Sequence, residues 1–434
     1  MFKKALYAYL KSLVRFSFAL FYTRTLVLGK EHLRLKGPTI LATNHPNTLV
    51  DALNAAGRTD SVVHFLVNAG LYRKRWSRAL FDFLYCIPIK RQQDPNDSGV
   101  RNSDSFTRIY DHLAGGGHLF VAPEGGSEQG RHLRPLKKGA ARILLQTRAA
   151  RPEAPVIRLQ PIGFTYSDPE TFGSQLIVHV GEPILDTDWA DRYAQQPAQA
   201  IRELTQELSQ RLTGLMIATR DGAEDRRLSI AESILQARQP LNQKMAYARS
   251  RQLLQQFRIW EKEEPTDFRS FSVALTDYQQ FLDRYGLTSQ AVGHHGDSVM
   301  RQYFRLFLGL PFYLFGYLNN FLAIGIPRFI ATRRFVEREY RATVQILLAL
   351  VTVPLLYLAQ TLLVGAWLSL GPALIYFTAL LPSGYFAWFY RQYWKSAQRA
   401  YRIKNLNPTL QLKLTGQYER LGQQLEKVLQ HGVA

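Results

Sequence analysis

Residues 44–51, Asn44-His45-Pro46-Asn47-Thr48-Leu49-Val50-Asp51, put an imidazole and a carboxylate just beyond the short apolar run 39–42. Asn47 or Thr48 suits the N-cap of a following helix, which carries Asp51 in its first turns and leaves His45 on the loop before it. At such a strand-loop-helix junction a carboxylate on one ring nitrogen fixes the tautomer and stabilises the imidazolium. The other nitrogen then takes a proton from a substrate hydroxyl. The chemistry is general-base catalysis, with no need of a protein nucleophile. The spacing by itself also fits a structural His–Asp pair.

A second junction, Phe120-Val121-Ala122-Pro123-Glu124-Gly125-Gly126-Ser127, runs a strand into a Gly-rich turn. Gly125 and Gly126 let backbone N–H groups approach an anion, as an oxyanion or phosphate requires, and Ser127 adds a donor. Arg131, Arg134, Lys137 and Lys138 follow with positive charge. An ordinary turn has the same composition. Cys86-Ile87-Pro88-Ile89-Lys90-Arg91 ends a third strand on two cations, and Gln160-Pro161-Ile162-Gly163 closes a fourth with a rigid Pro and a small residue. Gly115-Gly116-Gly117 lacks dinucleotide-binding spacing and reads as a helix stop.

These junctions need strands and helices to hold them. Apolar or β-branched runs at 39–42, 62–67, 85–89, 118–122, 156–164 and 175–180 alternate with helical patterns, which predicts an α/β domain over residues 30–185. Residues 186–300 carry apolar positions every three or four residues among mixed charges and read as a helical region. Residues 1–29 combine Lys4, Lys11 and Arg15 with Phe16, Phe18, Leu20 and Phe21, predicting an amphipathic helix in a membrane interface, with a packed terminal helix as the alternative. No small-residue cleavage site follows that segment.

A chain of 434 residues exceeds one ordinary domain, and its 46% hydrophobic content excludes global disorder. Its 54 basic against 34 acidic residues leave a formal charge of +20, which suits nucleic acid or an anionic lipid surface. Cys86 is the one cysteine, so no intramolecular disulfide or Cys-based zinc cage can form, and no metal is expected.

Residues 343–390 choose between the partners: 48 positions pass without Asp, Glu, Lys, Arg or His. At ~1.5 Å per helical residue that crosses a ~30 Å hydrocarbon core twice. Gly371 and Pro372 mark a turn, giving a transmembrane hairpin of 343–363 and 370–390, with Tyr385, Trp388, Tyr390, Tyr393 and Trp394 as an aromatic belt. Arg328, Arg333, Arg334, Arg338 and Arg341 before the hairpin and Arg391, Lys395, Arg399, Arg402 and Lys404 after it place both ends on the cytoplasmic side. The run 306–327 is also long enough to span. Asn319-Asn320 and several Gly and Pro residues interrupt it, so within a membrane region 301–404 it reads as re-entrant or interfacial. Residues 405–434 read as a final amphipathic helix. A nucleic-acid-binding protein explains the basicity but not the apolar run, and a serine hydrolase lacks the last Gly of Gly-x-Ser-x-Gly around Ser127.

In this order, the four junctions resemble the glycerolipid acyltransferase superfamily over residues 30–185. Asn44-His45 with Asp51 is similar to that family's first motif, in which the His is the base and the Asp orients it. Arg91 falls where the second motif has a phosphate-binding Arg. Pro123-Glu124-Gly125 resembles the third motif, which helps bind the acceptor's phosphate, and Pro161 matches the Pro of the fourth.

Two departures stand out. Five residues separate His45 from Asp51 where the usual motif has four, so the extra ~100° of helix rotation must be absorbed before the cap. His-Pro-Asn with this spacing is similar to a fungal and bacterial branch acting on glycerol-3-phosphate or dihydroxyacetone-phosphate. The third motif's usual Thr-Arg-Ser is Gly126-Ser127-Glu128 here, leaving Arg131 or Lys137 to supply the missing charge.

The resemblance implies a glycerolipid acyltransferase-type α/β domain followed by a helical region and the hairpin. It implies transfer of a fatty acyl group from acyl-CoA or acyl-carrier protein, with no other cofactor, to lysophosphatidic acid or glycerol-3-phosphate. His45 and Asp51 would be catalytic, and Asn44, Arg91, Glu124, Gly125, Gly126, Ser127, Arg131 and Lys137 substrate-binding. The setting implied is an anionic membrane, the bacterial inner membrane with the catalytic domain on its cytoplasmic face. A membrane-anchored lipid-binding or scaffolding protein that keeps the domain without turnover is the rival expectation.

Overall fold

The computed structural model describes residues 2–90, 101–293, 298–334 and 337–431. Two compact units emerge, one of residues 1–218 with 333–346 and one of residues 219–332 with 347–434.

The first unit is built on an eight-stranded mixed sheet in the order β1-β7-β6-β2-β5-β3-β4, with β8 paired to β6. The strands are β1 (Arg24–Leu28), β2 (Thr39–Thr43), β3 (Val63–Asn68), β4 (Cys86–Ile89), β5 (His118–Val121), β6 (Arg158–Tyr166), β7 (Gln175–Val180) and β8 (Ile184–Leu185). β2, β3, β4, β5 and β6 run parallel, while β7 and β8 pair with β6 antiparallel. β2, β5 and nearly all of β6 are buried throughout and are continuous apolar runs in the sequence, while β3 is mostly half-buried. Residues 24–28, grouped by sequence with the terminal helix, form an edge strand parallel to β7 instead, because Thr25, Leu26 and Val27 suit a pleated surface.

The helices of this unit are α1 (Phe2–Phe21), α2 (Thr48–Arg58), α3 (Arg75–Phe83), α4 (Asn102–Ala114), α5 (Gly139–Ala150), α6 (Ala190–Gln195) and α7 (Pro197–Gly214). α1 is packed as well as amphipathic. Phe18 and Phe21 join a core with Leu41, Val50 and Phe164, while Tyr9 and Phe16 face outward. α7 buries Ile201, Leu204, Leu208 and Leu212 in the core on α5, so the unit continues past residue 185 to Ala218.

Gly163 shows how tightly that core closes. A Cβ there would lie 2.3 Å from the Leu215 carbonyl oxygen. Gly163→Ala is expected to cost about 1–3 kcal/mol through the forced backbone shift, read as a lower unfolding midpoint.

Two histidine rings, those of His64 and His112, meet beside the start of β5, where His118 lies. The His64 ring lies 3.8 Å from that of His112, which bonds the His118 carbonyl, and Tyr85 packs edge-on to His64 at 5.1 Å. Burial, then His112, Lys3, Arg108 and His118, push His64 down from 6.5 to about 3. Burial also lowers His112 and His118, the latter opposed by Asp60. Groups that resist protonation only in the fold stabilise it fully above the unfolded value. Stability therefore falls as pH drops below about 6.5, by up to ~1.4 kcal/mol per pH unit for each proton the unfolded chain binds in excess, less where solvent reaches the ring. The unfolding midpoint is expected to drop between pH 7 and 5 and the drop to shrink in His64→Gln. An unchanged profile in that variant would assign the acid limb to other groups.

The second unit is helical: α8 (Gly222–Arg238), α9 (Gln243–Glu263), α10 (Pro265–Tyr285), α11 (Ser289–Gly293), α12 (Val299–Arg334), α14 (Leu370–Lys404) and α15 (Pro408–His431), with most of α13 (Arg341–Trp367). Arg238 ties α8 to α15 through Glu419 and Glu426. α12, α14 and the helix containing α13 are each long and apolar enough to cross a membrane. α12 continues through Pro311 and Pro327 rather than breaking there. The break between α13 and α14 falls at residues 368–369, and Gly371 and Pro372 sit in the first turn of α14, where a missing N–H costs little. Inside this bundle Gly316 meets the Ser383 backbone, and the Asn320 amide donates to the Gly316 and Leu380 carbonyls while accepting from Tyr357.

Candidate active site

The register of the sheet assembles the site. β2 lies between β5 and β6, with Ala42 opposite both Val121 and Pro161, so the residues leaving β2, β5 and β6 come together at one edge. Ligands of open parallel sheets bind outside these carboxyl ends. Asn44 extends the ladder with its side chain: Nδ2 donates to the Phe164 carbonyl at 2.9 Å and Oδ1 accepts the Phe164 N–H at 2.7 Å. It is buried, and its role here is to hold the start of the loop.

The dyad forms. His45 Nδ1 lies 3.1 Å from Asp51 Oδ2, and that oxygen also accepts the Asn47 N–H at 2.7 Å. Asp51 Oδ1 accepts the Tyr166 hydroxyl at 2.7 Å. A buried carboxylate needs such partners, and this one is completely buried with three. An ionised carboxylate only accepts, so Nδ1 carries the proton and Nε2 presents its lone pair. The His45 side chain is 16% exposed, and Nε2 has no hydrogen-bond partner among the described residues.

Burial, and then Asp51, push the Tyr166 phenol well above its ordinary range, so it remains a donor. The same causes act on Tyr22, whose hydroxyl donates to the Pro169 carbonyl and accepts from Asn47 Nδ2.

The fifth residue between His45 and Asp51 is absorbed at Thr48. Its φ is 41°, a left-handed conformation that is costly for a β-branched residue. Three bonds hold it there. Thr48 N–H donates to Ser127 Oγ at 2.9 Å, and Thr48 Oγ1 donates to the Glu339 carbonyl at 3.0 Å and meets Thr343 Oγ1 at 2.9 Å. Asn47 occupies the N-cap position without capping; its amide goes to Tyr22 and Pro169.

The Gly-rich turn clasps the His45 loop from the other side. Glu124 Oε1 accepts the His45 N–H at 2.7 Å, and Ser127 Oγ donates to the His45 carbonyl at 2.7 Å. Glu124 Oε2 accepts both the backbone N–H and Nε of Arg134 at 3.1 Å. Glu124 and Ser127 therefore hold the backbone of the His45 loop. Gly125, at φ 74°, donates its N–H to the Ala122 carbonyl, so that donor is engaged in the turn.

The charge missing from the third motif comes back from Arg134, whose guanidinium also bonds the Gly126 carbonyl. Lys137 lies along Gly125: a Cβ there would meet its ammonium at 2.7 Å. Lys137 is exposed and Arg131 half-buried. Arg91 lies outside the described residues, and Lys90 just before it is pinned to the Asn102 side chain at the start of α4. Tyr166, which bonds Asp51, Tyr22 and Thr343, which bond Asn47 and Thr48, and Arg134, which bonds Glu124, left no local signal, since none adjoins its partner in sequence.

The comparisons with known proteins fall on this region. The Acyltransferase family model matches residues 24–164. Glycerol-3-phosphate O-acyltransferase 2 of Saccharomyces cerevisiae is 25% identical over 291 residues, which are 61% of this chain and 38% of that protein. Glycerol-3-phosphate O-acyltransferase 1 of the same yeast is 30% identical over 125 residues, 28% of this chain and 16% of that protein. The crystal structure of the 1-acyl-sn-glycerophosphate acyltransferase of Thermotoga maritima aligns with a TM-score of 0.34 and 16% identity, covering 48% of this chain and 81% of that one. The chain spans less than two fifths of the length of these curated relatives. The dyad and the Pro123-Glu124-Gly125 turn both lie inside residues 24–164, the segment that matches the Acyltransferase family model.

Proposed function

We propose that this chain is a membrane-bound O-acyltransferase. It moves a fatty acyl group from acyl-CoA or acyl-carrier protein to a hydroxyl of a glycerol-phosphate-type acceptor, glycerol-3-phosphate or lysophosphatidic acid. The observation that carries this reading is the His45–Asp51 pair, a proton acceptor whose tautomer is fixed by a fully buried carboxylate. His45 Nε2 takes the proton of the acceptor hydroxyl as its oxygen attacks the thioester carbonyl; collapse of the tetrahedral intermediate expels the thiolate, which takes that proton from His45 and leaves as the thiol. Arg91, Arg131, Arg134 and Lys137 supply positive charge for the acceptor phosphate. The names of the two yeast relatives favour glycerol-3-phosphate as acceptor. The three long apolar helices fit a membrane setting, with the basic flanks of α13 and α14 on the cytoplasmic face.

The test is acyl transfer by the detergent-solubilised protein. Labelled acyl-CoA, and separately acyl-carrier protein, are offered with glycerol-3-phosphate and with lysophosphatidic acid, beside His45→Ala. Turnover with one acceptor that vanishes in the variant establishes the reaction and its acceptor. Folded protein inert toward both acceptors with both donors, or activity indifferent to His45, overturns it.

A further inference from the structure

The second unit carries a cavity of about 250 Å³ lined by Tyr313 of α12 and by Arg391, Trp394, Lys395 and Gln398 of α14. Arg391, Lys395 and Gln398 follow one another at helical spacing, so two cations and an amide share one face of α14. The apolar wall is preset. Tyr313 stacks on Tyr390 with centroids 4.5 Å apart, and Tyr390 meets Trp394 edge-on at 6.1 Å. The cavity lies where the uncharged stretch of α14 gives way to its basic end, the level at which aromatic rings and cations meet headgroups.

The charge of the cavity is not balanced along the helices that line it. From residue 298 to 336 and from 340 to 418 the sequence holds no Asp or Glu. The counter-charge has to come from outside these helices, and a groove with two cations, an amide donor and aromatic walls matches a phosphate with an apolar tail beside it.

We propose that this cavity binds the phosphate headgroup of an anionic glycerophospholipid of the surrounding membrane. Arg391 and Lys395 take the phosphate oxygens, Gln398 donates to the glycerol or ester oxygens, and Tyr313 and Trp394 flank the upper acyl chains. The site is separate from the His45 dyad in sequence and needs no turnover, so it stands or falls independently of the acyl-transfer reading; it rests only on the membrane setting.

The test is native mass spectrometry of the full chain released from detergent containing phosphatidylglycerol and phosphatidylcholine in equal amounts, without acyl donor. The expected result is preferential retention of phosphatidylglycerol. That preference falls about fivefold for each cation removed, in Arg391→Gln, Lys395→Gln and the double variant. Lys413→Gln with Arg420→Gln removes the same charge elsewhere and is expected to keep the preference. Gel filtration and circular dichroism establish that each variant is folded, and Gln398→Leu, which leaves the charge intact, is expected to lower retention as well. Unchanged preference in the double variant, an equal loss in the control pair, or displacement of the lipid by millimolar glycerol-3-phosphate, which would make the ligand a soluble phosphate, overturns the proposal.

Discussion

Asp51→Asn is expected to lower kcat by about 10³ to 10⁴ while the protein stays folded, a loss of the size caused by a wrong imidazole tautomer in a catalytic His–carboxylate pair. The carboxylate accepts from three donors: His45 Nδ1, the Asn47 N–H and the Tyr166 hydroxyl. An amide in its place accepts with one atom only. If its oxygen keeps the Tyr166 hydroxyl, its NH₂ faces His45 and the Asn47 N–H. Nδ1 then becomes an acceptor, the ring proton moves to Nε2, and the base has no lone pair for the substrate. If the amide turns the other way, its NH₂ confronts the Tyr166 hydroxyl, which burial and the lost carboxylate leave without an acceptor. The first orientation disables the base and the second leaves the buried Tyr166 donor unmet at a cost of about 1–3 kcal/mol, whereas His45→Ala removes the base and sets the floor of activity. Steady-state kcat with the better acceptor is the measurement, with the unfolding midpoint as the control for folding. A kcat within tenfold of the wild type would mean that this carboxylate does not set the tautomer, and the general-base assignment would fall with it.

What the sequence makes legible here is what the backbone does locally. An apolar run that ends in His45, a second that ends in Pro123-Glu124-Gly125 and a third holding Pro161 lie on β2, β5 and β6, which the sheet sets side by side. The distance from His45 to Asp51 is legible too, but the way the extra residue is absorbed is not. Thr48 takes a left-handed conformation that its own side chain disfavours, held by Ser127, Glu339 and Thr343. Tertiary bonds override local preference there, and no window of sequence contains them. Tyr166, 115 positions from Asp51, is invisible for the same reason.

The strand at residues 24–28 is hidden differently. Its apolar residues continue the pattern of α1, and only pairing with β7 distinguishes edge strand from helix end. In α12 the reverse holds. Pro311 and Pro327 suggest interruption, yet the helix runs on, and at Pro327 the freed Ala323 carbonyl accepts the Thr352 hydroxyl of α13 at 3.0 Å.

Glu124 carries the second large effect. Its carboxylate is buried, with 4% of the side chain exposed, and joins three donors from two segments: the His45 N–H at 2.7 Å and the backbone N–H and Nε of Arg134 at 3.1 Å. Glutamine keeps the shape and can still accept at one end. Its NH₂ then points at donors whichever way the amide turns, either at His45 N–H or at the two N–H groups of Arg134. A buried donor left unmet costs about 1–3 kcal/mol, and the strain falls on the loop that carries the base. Displacing a catalytic group by ~1 Å costs about 10² in rate. Glu124→Gln is therefore expected to lower kcat by 10- to 100-fold and to lower the unfolding midpoint. Glu124→Ala, which leaves Arg134 only its longer pairing with Glu128 at 3.8 Å, goes further on both. Because the carboxylate touches the His45 loop and Arg134 through bonds inside the fold, the KM for the acyl donor is expected to stay near the wild-type value. The discriminating outcome is a normal kcat with a KM for the acceptor raised tenfold or more. That would make Glu124 a direct acceptor contact rather than the brace that holds His45 in place.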